Sequence, residues 1–108
     1  MSMQVAIDEL PTVSAEYGPS AYVLVGAPDG PPRVTHSTVS WIDGEIEVAV
    51  GRRAAAALAA NPTACVLWPA TVDQSMSLIV DVACAGAVDD DGGPVRLRPT
   101  GAVRHRPA

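Results

Sequence analysis

Arg52 and Arg53 follow Gly51 at the head of an alanine run, RRAAAALAA, whose composition favours a helix. A helix N-terminus carries a partial positive charge, so two cations there are disfavoured, and no Ser, Thr, Asp or Asn stands at the cap. A bound anion resolves both oddities. Free N–H groups of the first turn and two guanidinium forks would converge on one phosphate, with Gly51 allowing close backbone approach. The competing reading leaves both arginines in solvent or paired with a nearby Asp or Glu. A second polar set, Thr35, His36, Ser37 and Thr38, interrupts an extended segment. It would line a polar groove, or His36 would simply pack with its hydrogen bonds satisfied. Trp68, beside Pro69 at the end of a strand, has the ring to stack on a planar molecule; core or subunit packing serves equally well.

Other chemistries find less support. His36 and His105 are sixty-nine residues apart, and no Asp, Glu or Cys lies at ligand spacing from either, so no metal site is expected. There is no G-x-S-x-G, P-loop or G-x-G-x-x-G string. No side chain stands out as a general acid, base or nucleophile, and no catalytic residue is named. Cys65 and Cys84 lack a flanking His and read as packing residues with free thiols. Asp81, inside SLIVDVA, is the odd carboxylate: it caps a bulge, faces solvent, or bonds a ligand.

The chain that must position these groups has 108 residues, room for one domain spanning 1–108. Its net charge of −5 argues against a nucleic-acid partner, which needs a basic face. No apolar run approaches the ~20 residues of a membrane span. MSMQVAIDELP lacks the basic and apolar regions of a signal peptide. Two cysteines are too few for a disulfide scaffold. These features together describe a soluble cytoplasmic protein. Seven Arg and no Lys, with 18 Ala, fit a GC-rich genome.

Periodicity supplies the elements. Residues 1–18 are amphipathic, with a helix of one or two turns ending at Gly18. The period then becomes two: strands are expected at 21–27, 33–42 and 45–51, with Asp43-Gly44 as the hairpin turn between the last two. A helix follows over 52–60, ended by Asn61-Pro62. Further strands are expected at 63–69 and 76–88, the latter with small residues where it would bend or bulge. The turn DDDGG (89–93) leads to a broken last strand over 94–107. Six strands with hairpin-length links mean a mostly antiparallel sheet. Apolar or neutral residues on both faces suit a closed barrel, or a sheet covered by a partner. An oligonucleotide-binding barrel is disfavoured by the acidic charge and by too few aromatics.

The order VAVGRRAAAALAANP, CVLWP, SMSLIVDVACAG and TGAVRHRPA resembles the flavin split-barrel, or pyridoxamine-5′-phosphate-oxidase-like, family over about residues 10–107. It looks most like the small members common in actinobacteria. The resemblance implies an all-β, six-stranded antiparallel split barrel with one or two short helices, assembled as a homodimer. It implies FMN or F420 in a groove between subunits, and oxidoreductase chemistry. The cofactor phosphate would lie at Gly51, Arg52 and Arg53, and the ring along Thr35, His36, Ser37 and Thr38, near Trp68. The chain departs from the family pattern at Ala54 and Ala57, where phosphate-binding side chains are usual, and at Met76, where tyrosine is usual. Those departures favour the other reading: a dimeric cofactor carrier without enzymatic activity, or a degenerate barrel that binds no flavin.

Overall fold

A computed structural model describes residues 2–106. Eight extended segments form one antiparallel sheet: β1 (Ser2–Gln4), β2 (Ser20–Val25), β3 (Arg33–Thr38), β4 (Ser40–Ile42), β5 (Glu45–Val50), β6 (Thr63–Trp68), β7 (Ser77–Cys84) and β8 (Gly93–His105). Two short helices, α1 (Leu10–Ala15) and α2 (Arg52–Ala60), accompany it. Spatially the strands run β3-β2-β6-β7-β8-β5-β4, with β1 beside β8.

The first and last strands of that path, β3 and β4, are consecutive pieces of one extended segment broken at Val39. The Val39 N–H donates to the Pro19 carbonyl, 2.8 Å away, one step beyond the Ser20–Thr38 pair that ends β2 against β3. The sheet therefore curls until its ends meet in the chain, and no backbone ladder joins β3 to β5. One side-chain stitch crosses that seam: the Ala49 N–H donates to Ser37 Oγ, 3.2 Å. The barrel is split there.

The expected long strand over 33–42 is thus two strands serving opposite ends of the sheet, and the expected six strands become eight segments. The other addition, β1, falls in the stretch read as helical. Its cause lies far along the chain. β5 pairs β8 only from Gly93 to Leu97, which leaves the far end of β8 with an open edge. Ser2 to Gln4 occupy it opposite His105 to Val103. The helix itself follows and the chain turns at Gly18, whose φ of 110° suits glycine. Asp43-Gly44 forms the hairpin turn with both residues at positive φ.

Inward-facing residues alternate as a two-residue period requires: Ala21, Val23 and Val25; Ile46, Val48 and Val50; Val66 and Trp68; Leu78, Val80 and Val82; Val95 and Leu97. The barrel ends are closed by helices. Leu10 and Val13 of α1 enter the core, as do Ala54, Ala55, Ala57 and Leu58 of α2. Between β7 and β8 the register slips at Asp81/Val82, because Thr100 is inserted between the partners Pro99 and Gly101. The small-residue stretch expected to bend or bulge instead ends β7 at Cys84, and the bulge is carried by β8, with Asp81 exposed opposite it. Pro99 lies at the irregularity, where the missing N–H costs no ladder bond.

Candidate functional site

β5 delivers the chain to Gly51, and α2 begins at Arg52 with no side-chain cap. The first helical bond runs from the Ala55 N–H to the Gly51 carbonyl, 2.9 Å. Arg52 and Arg53 then part company. Arg52 reaches toward Asp91 on the 89–93 turn, at 4.0 Å with both side chains largely exposed. Arg53 instead lines a cavity of about 360 Å³ together with Arg33, Asp29, Ala56 and Ala57. Among the described residues neither Arg33 nor Arg53 has an ion-pair partner.

Gly92 explains why the 89–93 turn crowds the helix start. Its φ is 88°, and a Cβ there would lie 2.5 Å from the Val50 carbonyl oxygen and 2.9 Å from the Gly51 carbonyl carbon. Only glycine permits that approach. One side of the helix N-terminus is therefore covered by an acidic turn, and the other side, where Arg53 points, is open.

The polar set on β3 is divided by the strand's alternation. Arg33, Thr35 and Ser37 are half-buried on one face, while His36 and Thr38 are exposed on the other. His36 stacks on Tyr22 with ring centroids 4.4 Å apart, and its Nε2 lies 3.2 Å from Ser20 Oγ. Ser37 is committed to the seam, accepting from Ala49 and donating to the Thr38 carbonyl. His36, Ser37, Thr38, Ser40 and Glu47 nevertheless border one groove of about 400 Å³ along the seam. β3 ends the sheet path, so its outer edge presents peptide groups free of a ladder. Arg33 and Thr38 are five positions apart, about 17 Å along a strand. One elongated molecule can therefore touch both the guanidinium pair and the seam.

Trp68 is not at this site. Its neighbours across the ladder place it level with Ala21 and Ser37, at the far end from Arg33, and it is fully buried in the core. An inward position on β6 overrides its place beside a terminal proline. The structure adds Arg33, which sequence reasoning missed. The available signal was its alternation with Thr35 and Ser37, but nothing local linked it to Arg53, twenty residues on.

The cysteines are free. Cys65 pairs with Asp81, and the Cys84 N–H bonds the Pro62 carbonyl, so the two lie three ladder positions apart, about 10 Å. Burial pushes both thiols up, and the Asp81 carboxylate adds to the rise at Cys65. Neither is poised as a nucleophile. Tyr17 is likewise held above its ordinary value, by burial first, against the lowering effect of Arg104. Its hydroxyl donates to the Met76 carbonyl at 2.7 Å. Among the described residues no three His, Cys, Asp or Glu gather in one place, and no helix is long and apolar enough to cross a membrane.

No protein-family model matches the sequence, and no curated protein does. Comparison of folds is informative. An FAD-binding protein from Mesorhizobium loti is 12% identical, with 98% of each chain covered and a TM-score of 0.68. The haem storage protein HutZ from Vibrio cholerae is 13% identical, covering 86% of this chain and 91% of its own, with a TM-score of 0.66. A protein described as an F420 reductase is 15% identical, covering 77% and 87%, with a TM-score of 0.61. Structures bearing the pyridoxamine 5′-phosphate oxidase name match as well. This chain has the split-barrel fold of these proteins. The open seam between β3 and β5 leaves a strand edge unpaired beside a groove, and α2 and Arg33 border its far end.

Proposed function

We propose that the chain is a homodimeric, cytoplasmic split-barrel protein that binds FMN or F420 and serves as an oxidoreductase. The observation that carries this reading is the pair Arg33 and Arg53, two cations on one cavity beside an uncapped helix start, without carboxylate partners among the described residues. Together they form a fork for a phosphate, and the peptide edge of β3 with Thr38 offers hydrogen bonds to a flat heteroaromatic ring. The bound cofactor would supply the hydride chemistry; the protein's part is to grip the phosphate, orient the ring and exclude water from the seam. Asp29 on the same cavity opposes an anion, and Ala57 lines the wall where the family pattern has a polar side chain. The two arginines therefore carry the phosphate alone.

Asp29 and Ala57 favour the second reading, a dimer that carries or has lost its cofactor. Calorimetric titration with FMN, F420 and riboflavin separates a barrel that binds a cofactor from one that has lost it, and hydride transfer by the loaded protein separates an enzyme from a carrier. Binding of a phosphorylated cofactor with riboflavin much weaker supports the leading proposal. No binding by either phosphorylated molecule leaves the cofactor-free barrel.

The dimer rests on the outer face of the sheet. Tyr22, Leu67, Ile79 and Val103 form a half-buried apolar row across four strands, with Val34 exposed nearby. A second chain would cover it, burying more than ~1,500 Å² if the dimer is obligate. Light scattering at micromolar concentration should give twice the chain mass; a monomer would remove the dimer from the proposal.

A further inference from the structure

At the opposite end of the barrel from Arg33, α1 and the β3–β4 bend border an open cavity of about 350 Å³. Its wall includes Pro11, Ser14, Ala15, Val39, Trp41 and Trp68, with no charged side chain among its lining residues. The polar groups there are few, and most are engaged. The Trp41 indole N–H donates to Ser14 Oγ at 2.9 Å, and Ser14 Oγ donates to the Pro11 carbonyl at 3.3 Å. One donor is left. Trp68 is 1% exposed, and its Nε1 is buried with no acceptor among the described residues. Buried indole N–H groups ordinarily find a partner, so this one marks a place where an acceptor belongs.

We propose that this cavity binds a small, uncharged, mainly apolar ring compound carrying one hydrogen-bond acceptor, received by Trp68 Nε1. The volume is that of a small-molecule site, and the wall is apolar with a single orienting polar group. A carboxylate or ammonium is excluded, because the lining provides no counter-charge and burial of a lone ion is costly. The site is independent of the cofactor reading: its residues share nothing with the Arg33–Arg53 cavity.

The chain contains two tryptophans, and both line this cavity, so its indole N–H signals report directly on occupancy. The ¹⁵N-labelled protein would be titrated with acetophenone, with α-methylstyrene (the same shape without the carbonyl), and with benzoate. Acetophenone should move the Trp68 indole proton downfield and bind about tenfold more tightly than α-methylstyrene. Benzoate should leave both signals in place. Trp68→Phe keeps the aromatic wall and should abolish the preference for the ketone. Ala15 is exposed at the cavity mouth on α1, so Ala15→Leu should block entry without disturbing the core, weakening acetophenone more than tenfold. The proposal is overturned if acetophenone shifts neither indole, if it binds no better than α-methylstyrene, or if Ala15→Leu binds it as the parent does.

Discussion

β3 and its continuation link two sites of opposite character. At the Arg33 end a cavity is lined by two long cationic side chains and one carboxylate, beside an uncapped helix. At the Val39 end a cavity of similar volume is lined by prolines and two indoles. The first offers charge to a ligand and contributes little to folding. The second shares Trp68 with the core, so a ligand there would meet a side chain that also holds the barrel together. Substitutions should therefore separate: loss of Trp68 should cost stability, whereas loss of Arg33 or Arg53 should change binding.

The largest effect is expected at Trp68. Truncation to Ala removes a fully buried aromatic from the core and should cost about 3–5 kcal/mol, read as a lowered denaturation midpoint with an unchanged slope. A variant of parental stability would break the division between the two ends. Gly92→Ala tests the helix start next. It forces an unfavourable φ and a clash with the Val50 carbonyl, and should cost more than about 2 kcal/mol. Thermal unfolding measures it, and an unaffected Tm would mean that the acidic turn does not press on α2 as described.

Loss of Arg33 or Arg53 should barely change stability. Arg53→Ala and Arg33→Ala should each weaken FMN or F420 by roughly 10- to 150-fold, from loss of a charged hydrogen bond worth about 1.5–3 kcal/mol. Riboflavin binding should change far less. Calorimetry gives both numbers, and equal losses for FMN and riboflavin would move the phosphate elsewhere.

How much of this was legible in the chain depended on distance. Local periodicity located α2, the Asp43-Gly44 turn and the strands β2, β5, β6 and β7, because each is decided by neighbours within a few positions. The break at Val39 was not legible: 33–42 alternates smoothly, and only the closure of the sheet makes it serve two edges. β1 was missed because its partner is a hundred residues away. The same limit applied to the site. Arg52 and Arg53 were visible as a pair, whereas the grouping of Arg53 with Arg33 and of Arg52 with Asp91 is made by tertiary packing. For Trp68 the sequence left stacking and core packing as alternatives, since strand ends are wet or dry according to what caps them; the structure takes the core reading, with α1 as the cap.

Alkaline pH offers a smaller test that acts on the whole barrel. Burial raises Cys65, Cys84 and Tyr17, so each is more easily ionised unfolded than folded. Raised folded values mean that their contribution is complete below the ordinary thiol and phenol range and is lost as pH climbs through it. Stability should be level from neutrality to about pH 8 and then decline. Denaturant titrations at a series of pH values would show it; stability that rises above pH 9 would contradict the burial of these groups.

The smallest expected effect belongs to Arg52, and it sharpens the comparison most. Its ion pair with Asp91 is long, at 4.0 Å, and exposed on both sides, a class of contact that contributes little. Beside a helix N-terminus its charge also opposes the dipole. These two terms have opposite signs, so Arg52→Ala should leave the unfolding free energy within about 0.5 kcal/mol of the parent. Because Arg52 is turned toward the 89–93 side, FMN affinity should fall less than about threefold, against at least tenfold for Arg53→Ala. Equal losses at the two positions would mean that both guanidinium groups grip one phosphate, and that the Asp91 contact yields when the anion arrives.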